Sequence, residues 1–173
     1  MRRLLACLTL VSIGMFATAT FAGAAVTPKA KSTTIRVYGV NGYSNFITAA
    51  GKPIGENAAP VPGDQLLQSV NLYHGSNSHH AKGFFATASL HCLITAVSQT
   101  SVPASCEVVV AIGGSEIISL SVQNFATSPP AMVFPVVTGT GVFNEATGRI
   151  VVVNLGNPNN STTSNALIQV TTP

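Results

Sequence analysis

Gly139-Thr140-Gly141-Val142-Phe143-Asn144-Glu145-Ala146-Thr147-Gly148 is the stretch whose reading decides the fold. Its three glycines and two threonines surround one core-type aromatic, Phe143, and sit between the apolar runs 132–137 and 150–153. Glycine reaches positive φ without steric cost, so such a cluster between β-rich runs reads as a tight, irregular strand connection anchored by its phenylalanine.

Working outward, almost every apolar segment is short, β-branched and bounded by turn residues. The candidate strands are 34–40, 65–73, 83–97, 106–112, 115–124, 131–138, 149–154 and 165–171, the 83–97 segment being long enough to bend or split. No amphipathic helix periodicity is visible, and the chain has ten prolines and no tryptophan. Short strands separated by turns argue for an all-β sandwich or barrel. Residues 41–64 read as a long connection rich in glycine and proline, of the kind that is often functional, with Phe46, Ile47 and Ile54 available to cap one end of a barrel or simply to drape over it.

The N-terminus reads as an export signal. Met1-Arg2-Arg3 gives a positive start, 4–16 an apolar run, and either Ala22-Gly23-Ala24 or Ala17-Thr18-Ala19 a cleavage site. The organisation expected is a signal peptide over 1–24, a solvated tail over 25–33 and one domain over 34–173. The apolar run falls short of the roughly 20 residues of a membrane helix, so no span is expected. Without Arg2 and Arg3, six basic residues face five acidic ones, leaving +1. A pI of 9.0 is therefore no sign of nucleic-acid binding. Only 8 % of the chain is charged, so hydroxyls and amides wet its surface and an apolar patch would favour self-association.

Losing Cys7 with the signal leaves Cys92 and Cys106, which in an exported chain read as a disulfide, two buried thiols being the alternative. Gly113-Gly114 reads as a two-residue hairpin turn, and the 98–105 loop is roughly symmetric about residue 99. That register sets Cys92 opposite Cys106 and His91 opposite Glu107. Alternation then gives one face Phe84, Ala86, Ala88, Leu90, Cys92, Ile94, Val108, Val110 and Ile112, the expected interior. Ser115, Ser119 and Ser121 would share that interior, which is unusual for a core. Asn159 and Asn160 head overlapping glycosylation acceptors in the polar turn 156–164, meaningful only in a eukaryotic host.

The order of landmarks resembles that of the dirigent and allene oxide cyclase-like superfamily. Gly63-Asp64 precedes a strand ending in Leu72-Tyr73; a polar loop and Gly83 lead a strand containing Cys92; Gly113-Gly114, Pro135-Val136-Val137 and the glycine signature follow. Thr138 stands where the signature usually begins with glycine, and Asn144-Glu145 where plant members often carry a base. The resemblance implies a single eight-stranded antiparallel β-barrel with a largely hydrophobic cavity, secreted in the dirigent branch and often trimeric. Its dirigent branch directs the coupling of phenoxy radicals made by a separate oxidase, and its cyclase branch steers ring closure of a lipid epoxide. A hydrophobic guest, phenolic or lipid-derived, is expected, with no cofactor and with a homotrimer or homodimer as the assembly.

Chemistry-bearing residues are few. His91 and Glu107 form the one histidine–carboxylate pair the register brings together, fit either to move a proton or to serve as a surface pair or subunit contact. Tyr73 is a ligand-orienting phenol or a rim aromatic. Glu116 and Asn124 become lumen polar groups if the face assignment inverts. His74, His79 and His80 crowd one loop without an acid or cysteine at ligand spacing, so no metal is expected. No G-x-S-x-G nucleophile motif occurs, and Gly139-Thr140-Gly141 is followed by no lysine or helix that would make it a phosphate loop. Three functions follow as expectations: a secreted barrel steering the coupling or cyclisation of a bound guest, a cyclase-type isomerase, or a non-catalytic binding or structural surface protein.

Overall fold

The computed structural model describes residues 29–55, 58–126, 130–154 and 163–173. The expected signal peptide (1–24) and the sequons at Asn159 and Asn160 lie outside them. The strands are β1 (Lys31–Ile47), β2 (Gln65–Ser76), β3 (His79–His80), β4 (Ala86–Ile94), β5 (Pro103–Ile112), β6 (Ser115–Asn124), β7 (Met132–Gly139), β8 (Thr147–Asn154) and β9 (Thr163–Thr172). No α-helix occurs among the described residues.

Eight strands hydrogen-bond in the order β1-β9-β8-β7-β6-β5-β4-β2, and β2 pairs back onto β1, closing an antiparallel barrel; two-residue β3 only extends the end of β2. Closure removes the free edges that an open sheet would leave to aggregation. Gly113-Gly114 makes the expected hairpin, both at positive φ.

Two expectations change. β1 starts at Lys31, within the stretch read as a tail, and runs to Ile47, well into the stretch read as a loop. Its polar second half, Asn41 to Asn45, carries no apolar alternation, yet it is held because β2 offers a complete ladder, with a bulge at Gly42. Tertiary pairing outweighs local propensity here. The 83–97 segment forms a strand only over Ala86–Ile94. Phe84, assigned inward from parity, lies ahead of that strand and is 61 % exposed.

Elsewhere the pleat sorts the side chains as alternation requires. Ala104, Cys106, Val108 and Val110 of β5 are buried while Ser105 and Glu107 point out. Cys92 stands opposite Cys106 and His91 opposite Glu107, and the two cysteines are joined as a disulfide.

The glycine signature closes one end of the barrel. Phe143 ends a short 3-10 turn (Gly141–Phe143) and is buried with Ala146 in the core. The turn is stitched to β6: Thr140 donates its N–H to the Glu116 carbonyl (2.8 Å), and the Glu116 N–H returns to Thr140 Oγ1 (3.0 Å). The signature's three glycines leave no room for a side chain, a Cβ at Gly139 meeting the Phe143 and Glu116 carbonyls. Gly141 has φ +58 and packs on the Ser115 side chain; Gly148 has φ +141, and a Cβ there would strike the Gln169 carbonyl.

The interior serines of β6 follow from the same geometry. Ser115 Oγ accepts the Val142 N–H (3.1 Å), and Ser119 Oγ donates to the Pro135 carbonyl (2.6 Å) beside the register shift between β6 and β7. Both hydroxyls complete backbone bonding where the ladder is interrupted, which is why a core position accepts them.

Candidate functional site: an apolar bore open at one end

Seven of the eight barrel strands enclose a cavity of about 90 Å³. Its deep wall is Val37, Leu72, Val110, Phe134, Ile150 and Ile168, each at most 4 % exposed. The signature turn and Phe143 lie at the far end, so the bore opens where β1 approaches its bulge and β9 begins. The disulfide helps to seal part of that open end. Cys92, Ile94, Ala104 and Cys106 are buried there without lining the bore. The exit of the 48–64 connection is tied over them by Gly63 N–H to Ile94 carbonyl (2.9 Å) and Ile94 N–H to Asp64 carbonyl (2.8 Å). Asp64 is itself buried, its carboxylate accepting the Val61 N–H at 2.8 Å. Ile47 bridges Pro53, and Ile54 donates to the Phe46 carbonyl, folding the connection back on β1.

Around the mouth the chemistry is one-sided. Gln68 of β2, Asn41 of β1, and Thr163 and Ser164 of β9 form a polar arc on three neighbouring strands. Leu90, Val108, Met132 and Val152 form an apolar arc across from it. Gly39 of β1 leaves the wall recessed within the polar arc: a Cβ there would come within 2.9 Å of both Ser164 Oγ and Val70 Cγ1. Among the described residues no Asp, Glu, His, Lys, Arg or Tyr lines the bore. The cavity can bind, orient and exclude water, but its lining offers no side chain whose ordinary chemistry is proton transfer near neutral pH.

The five residues named from sequence as ligand contacts stand elsewhere. Tyr73 follows the inward Leu72 and so points out, its ring 6.1 Å from that of His80. His91 is exposed and its Nε2 lies 2.9 Å from Gln65 Oε1, while Glu107 is exposed on the neighbouring strand. Glu116, beside the buried Ile117, holds the signature turn through its backbone. Asn124 Oδ1 accepts the N–H groups of Val102 (2.8 Å) and Ala126 (3.1 Å), fixing the ends of two strands. The loop histidines are in ring contacts: His80 stacks on Tyr38 at 4.4 Å, and His74 meets Phe85 at 3.6 Å.

Reasoning from sequence missed the rim. Gln68 was legible, since it shares the inward parity of Leu66, Val70 and Leu72. Asn41 was hidden by the reading of its segment as a loop.

No protein-family model matches the chain, and no curated protein matches it in sequence. Solved structures do match in shape. The pterocarpan synthase dirigent protein GePTS1 superposes with TM-score 0.58 at 15 % identity, over 84 % of this chain and 86 % of that one. This chain has the dirigent-like barrel fold. Within that fold it is also similar to AbnU, an exo-specific intermolecular Diels-Alderase, with TM-score 0.62 at 13 % identity over 83 % of this chain and 99 % of the other. A pyocyanin demethylase matches with TM-score 0.59 at 18 % identity over 79 % and 99 %. The dirigent-like barrel thus carries several chemistries at these identities, and the function of this one must be argued from its own bore.

Proposed function

We propose that the protein is an exported dirigent-like barrel that holds a hydrophobic small molecule in its bore and steers that molecule's coupling or cyclisation, without redox chemistry of its own. The observation that carries this reading is an apolar bore, stopped at one end and open at the other, whose polar lining is concentrated on one side. Such a shape restricts the orientation of an already reactive guest, and restricted orientation is itself a large source of rate and selectivity. A lining without ionisable groups suits a guest that arrives activated, as a radical from a separate oxidase or as a strained or electron-deficient ring. Both a dirigent protein that is a pterocarpan synthase and a Diels-Alderase share the fold, which supports steering of bond formation as its use here.

The charged start and apolar run of residues 1–16 support export, and the Cys92–Cys106 disulfide suits an oxidising compartment. Self-association is supported by an apolar outer face: Leu120 and Val122 of β6, Val133 and Val137 of β7 and Val153 of β8 are 40–73 % exposed.

A second reading has its own observation. The bore, at about 90 Å³, is well below the roughly 300 Å³ at which drug-sized ligand pockets begin. That favours a non-catalytic binding or surface protein over an enzyme that engulfs a large substrate. One experiment separates the readings. The protein is incubated with a phenol and a separate one-electron oxidant, and in parallel with a diene and dienophile alone. Enantiomeric excess that follows protein concentration supports steering; racemic product at the uncatalysed rate in both arms leaves the non-catalytic reading.

A further inference from the structure

The rim of the bore narrows the class of guest. We infer that the guest is an uncharged, single-ring molecule bearing one hydrogen-bonding oxygen, and that the Gln68 side-chain amide holds this oxygen at the mouth. The inference rests on the bore being a guest site, and it adds what that site selects.

Gln68 sits in the inward row of β2, half-buried, with Leu66 and Val70 on either side and Leu90 opposite it on β4. Among the described residues its amide makes no side-chain hydrogen bond. A leucine at this position would continue the apolar row, whereas the amide stands solvent-accessible at the mouth, since no buried side-chain polar atom among the described residues lacks a partner, and an oxygen-bearing guest gives it a role that packing does not. A primary amide offers both donors and an acceptor and therefore serves a phenol O–H or a carbonyl equally. Asn41, Thr163 and Ser164 extend the same polar arc on the two strands beyond it, whereas Leu90, Val108, Met132 and Val152 face it with apolar side chains, Ser89 beside Leu90 being the polar residue of that wall. The guest is thereby given a polar edge and an apolar edge, and one face order.

Charge is selected against. A carboxylate or ammonium in the bore would lose hydration while facing no counter-charge, since no acidic or basic side chain among the described residues lines it. Size is bounded as well. A cavity of about 90 Å³ is smaller than the roughly 150 Å³ engineered cavity that accepts benzene, so a ring enters only with part of itself at the open mouth. That requirement brings its substituent to the level of Gln68.

The test uses methyl NMR titrations of the protein at pH 7 with p-cresol, toluene and 4-methylbenzoate, on wild type, Gln68→Leu and Ala166→Leu. Ala166 lines the bore on β9, with β1 between it and the strand of Gln68, and its enlargement takes up space in the site. Wild type should bind p-cresol about 2–10-fold more tightly than toluene, the worth of one net hydrogen bond, and should not bind 4-methylbenzoate. Gln68→Leu should abolish the preference while keeping or improving toluene binding, which also reports that the variant is folded. Ala166→Leu should weaken both neutral ligands. Equal affinity for cresol and toluene in wild type, a preference that survives Gln68→Leu, or methylbenzoate binding as tightly as cresol would each overturn the inference while leaving a guest site in place. Failure of both neutral ligands to bind overturns the guest-site reading as well.

Discussion

Replacing Phe143 with alanine removes the stopper of the barrel, and the cost can be estimated from where the ring sits. Phe143 is 8 % exposed and belongs with Ala146 to the core cluster, held by a turn that β6 fixes through Thr140 and Ser115. That anchoring keeps the turn from collapsing into the space, so the full penalty of truncation applies: loss of ring burial plus a cavity, about 3–5 kcal/mol for Phe→Ala. At about 2–4 °C per kcal/mol for a domain of this size, the melting temperature should fall by roughly 6–20 °C. The neighbouring Val142, 75 % exposed in the same turn, supplies the control; Val142→Ala should stay within about 0.5 kcal/mol of wild type. Urea unfolding followed by far-UV circular dichroism measures both. A loss below about 1 kcal/mol for Phe143→Ala, or equal losses for the two variants, would refute the claim that this ring closes the barrel.

Further outcomes follow from the same geometry. The double variant Cys92→Ala/Cys106→Ala, which opens a loop with sequence separation 14, should lose about 3 kcal/mol on the chain-entropy account, read as a lower urea midpoint that reductant no longer changes. Gly148→Ala should cost about 1–3 kcal/mol or prevent folding, because φ +141 and the nearby Gln169 carbonyl both exclude a side chain; a wild-type melting temperature would contradict this. Ser119→Ala should lose about 1–2 kcal/mol by leaving the Pro135 carbonyl without its 2.6 Å donor, measured by urea unfolding. Leu120→Lys/Val122→Lys should reduce self-association in sedimentation velocity with the melting temperature of the monomer nearly unchanged, since both side chains are more than half exposed.

What could be read before the structure was known divides along a physical line. Hairpin register is local, so the symmetry of the 98–105 loop about residue 99, with strict alternation, placed Cys92 opposite Cys106 and the β4–β5 apolar face inward. The signature turn was legible as a turn because its glycines have few alternatives. Its role as a stopper depends on β6 receiving it, and that contact spans more than twenty residues of sequence. β1 was read short because Asn41 to Asn45 look like a loop and become strand only on the ladder of β2, and with them the rim residue Asn41 was lost. Tyr73, His91, Glu107 and Glu116 stand out in the sequence because their side chains can move or hold a proton. In this barrel the pleat turns all four outward, while the inward polar groups are two amides and hydroxyls that draw less attention in a sequence.

The claim on which the account turns is that the bore admits a guest. It is tested most directly by a methyl-resolved NMR spectrum of the intact protein with saturating toluene. The account predicts shifts concentrated at Leu72, Val110, Ile150 and Ile168, the deep wall of the cavity, with Leu120 and Val122 on the outer face unmoved. Shifts confined to the outer face, or none at any methyl, would contradict it.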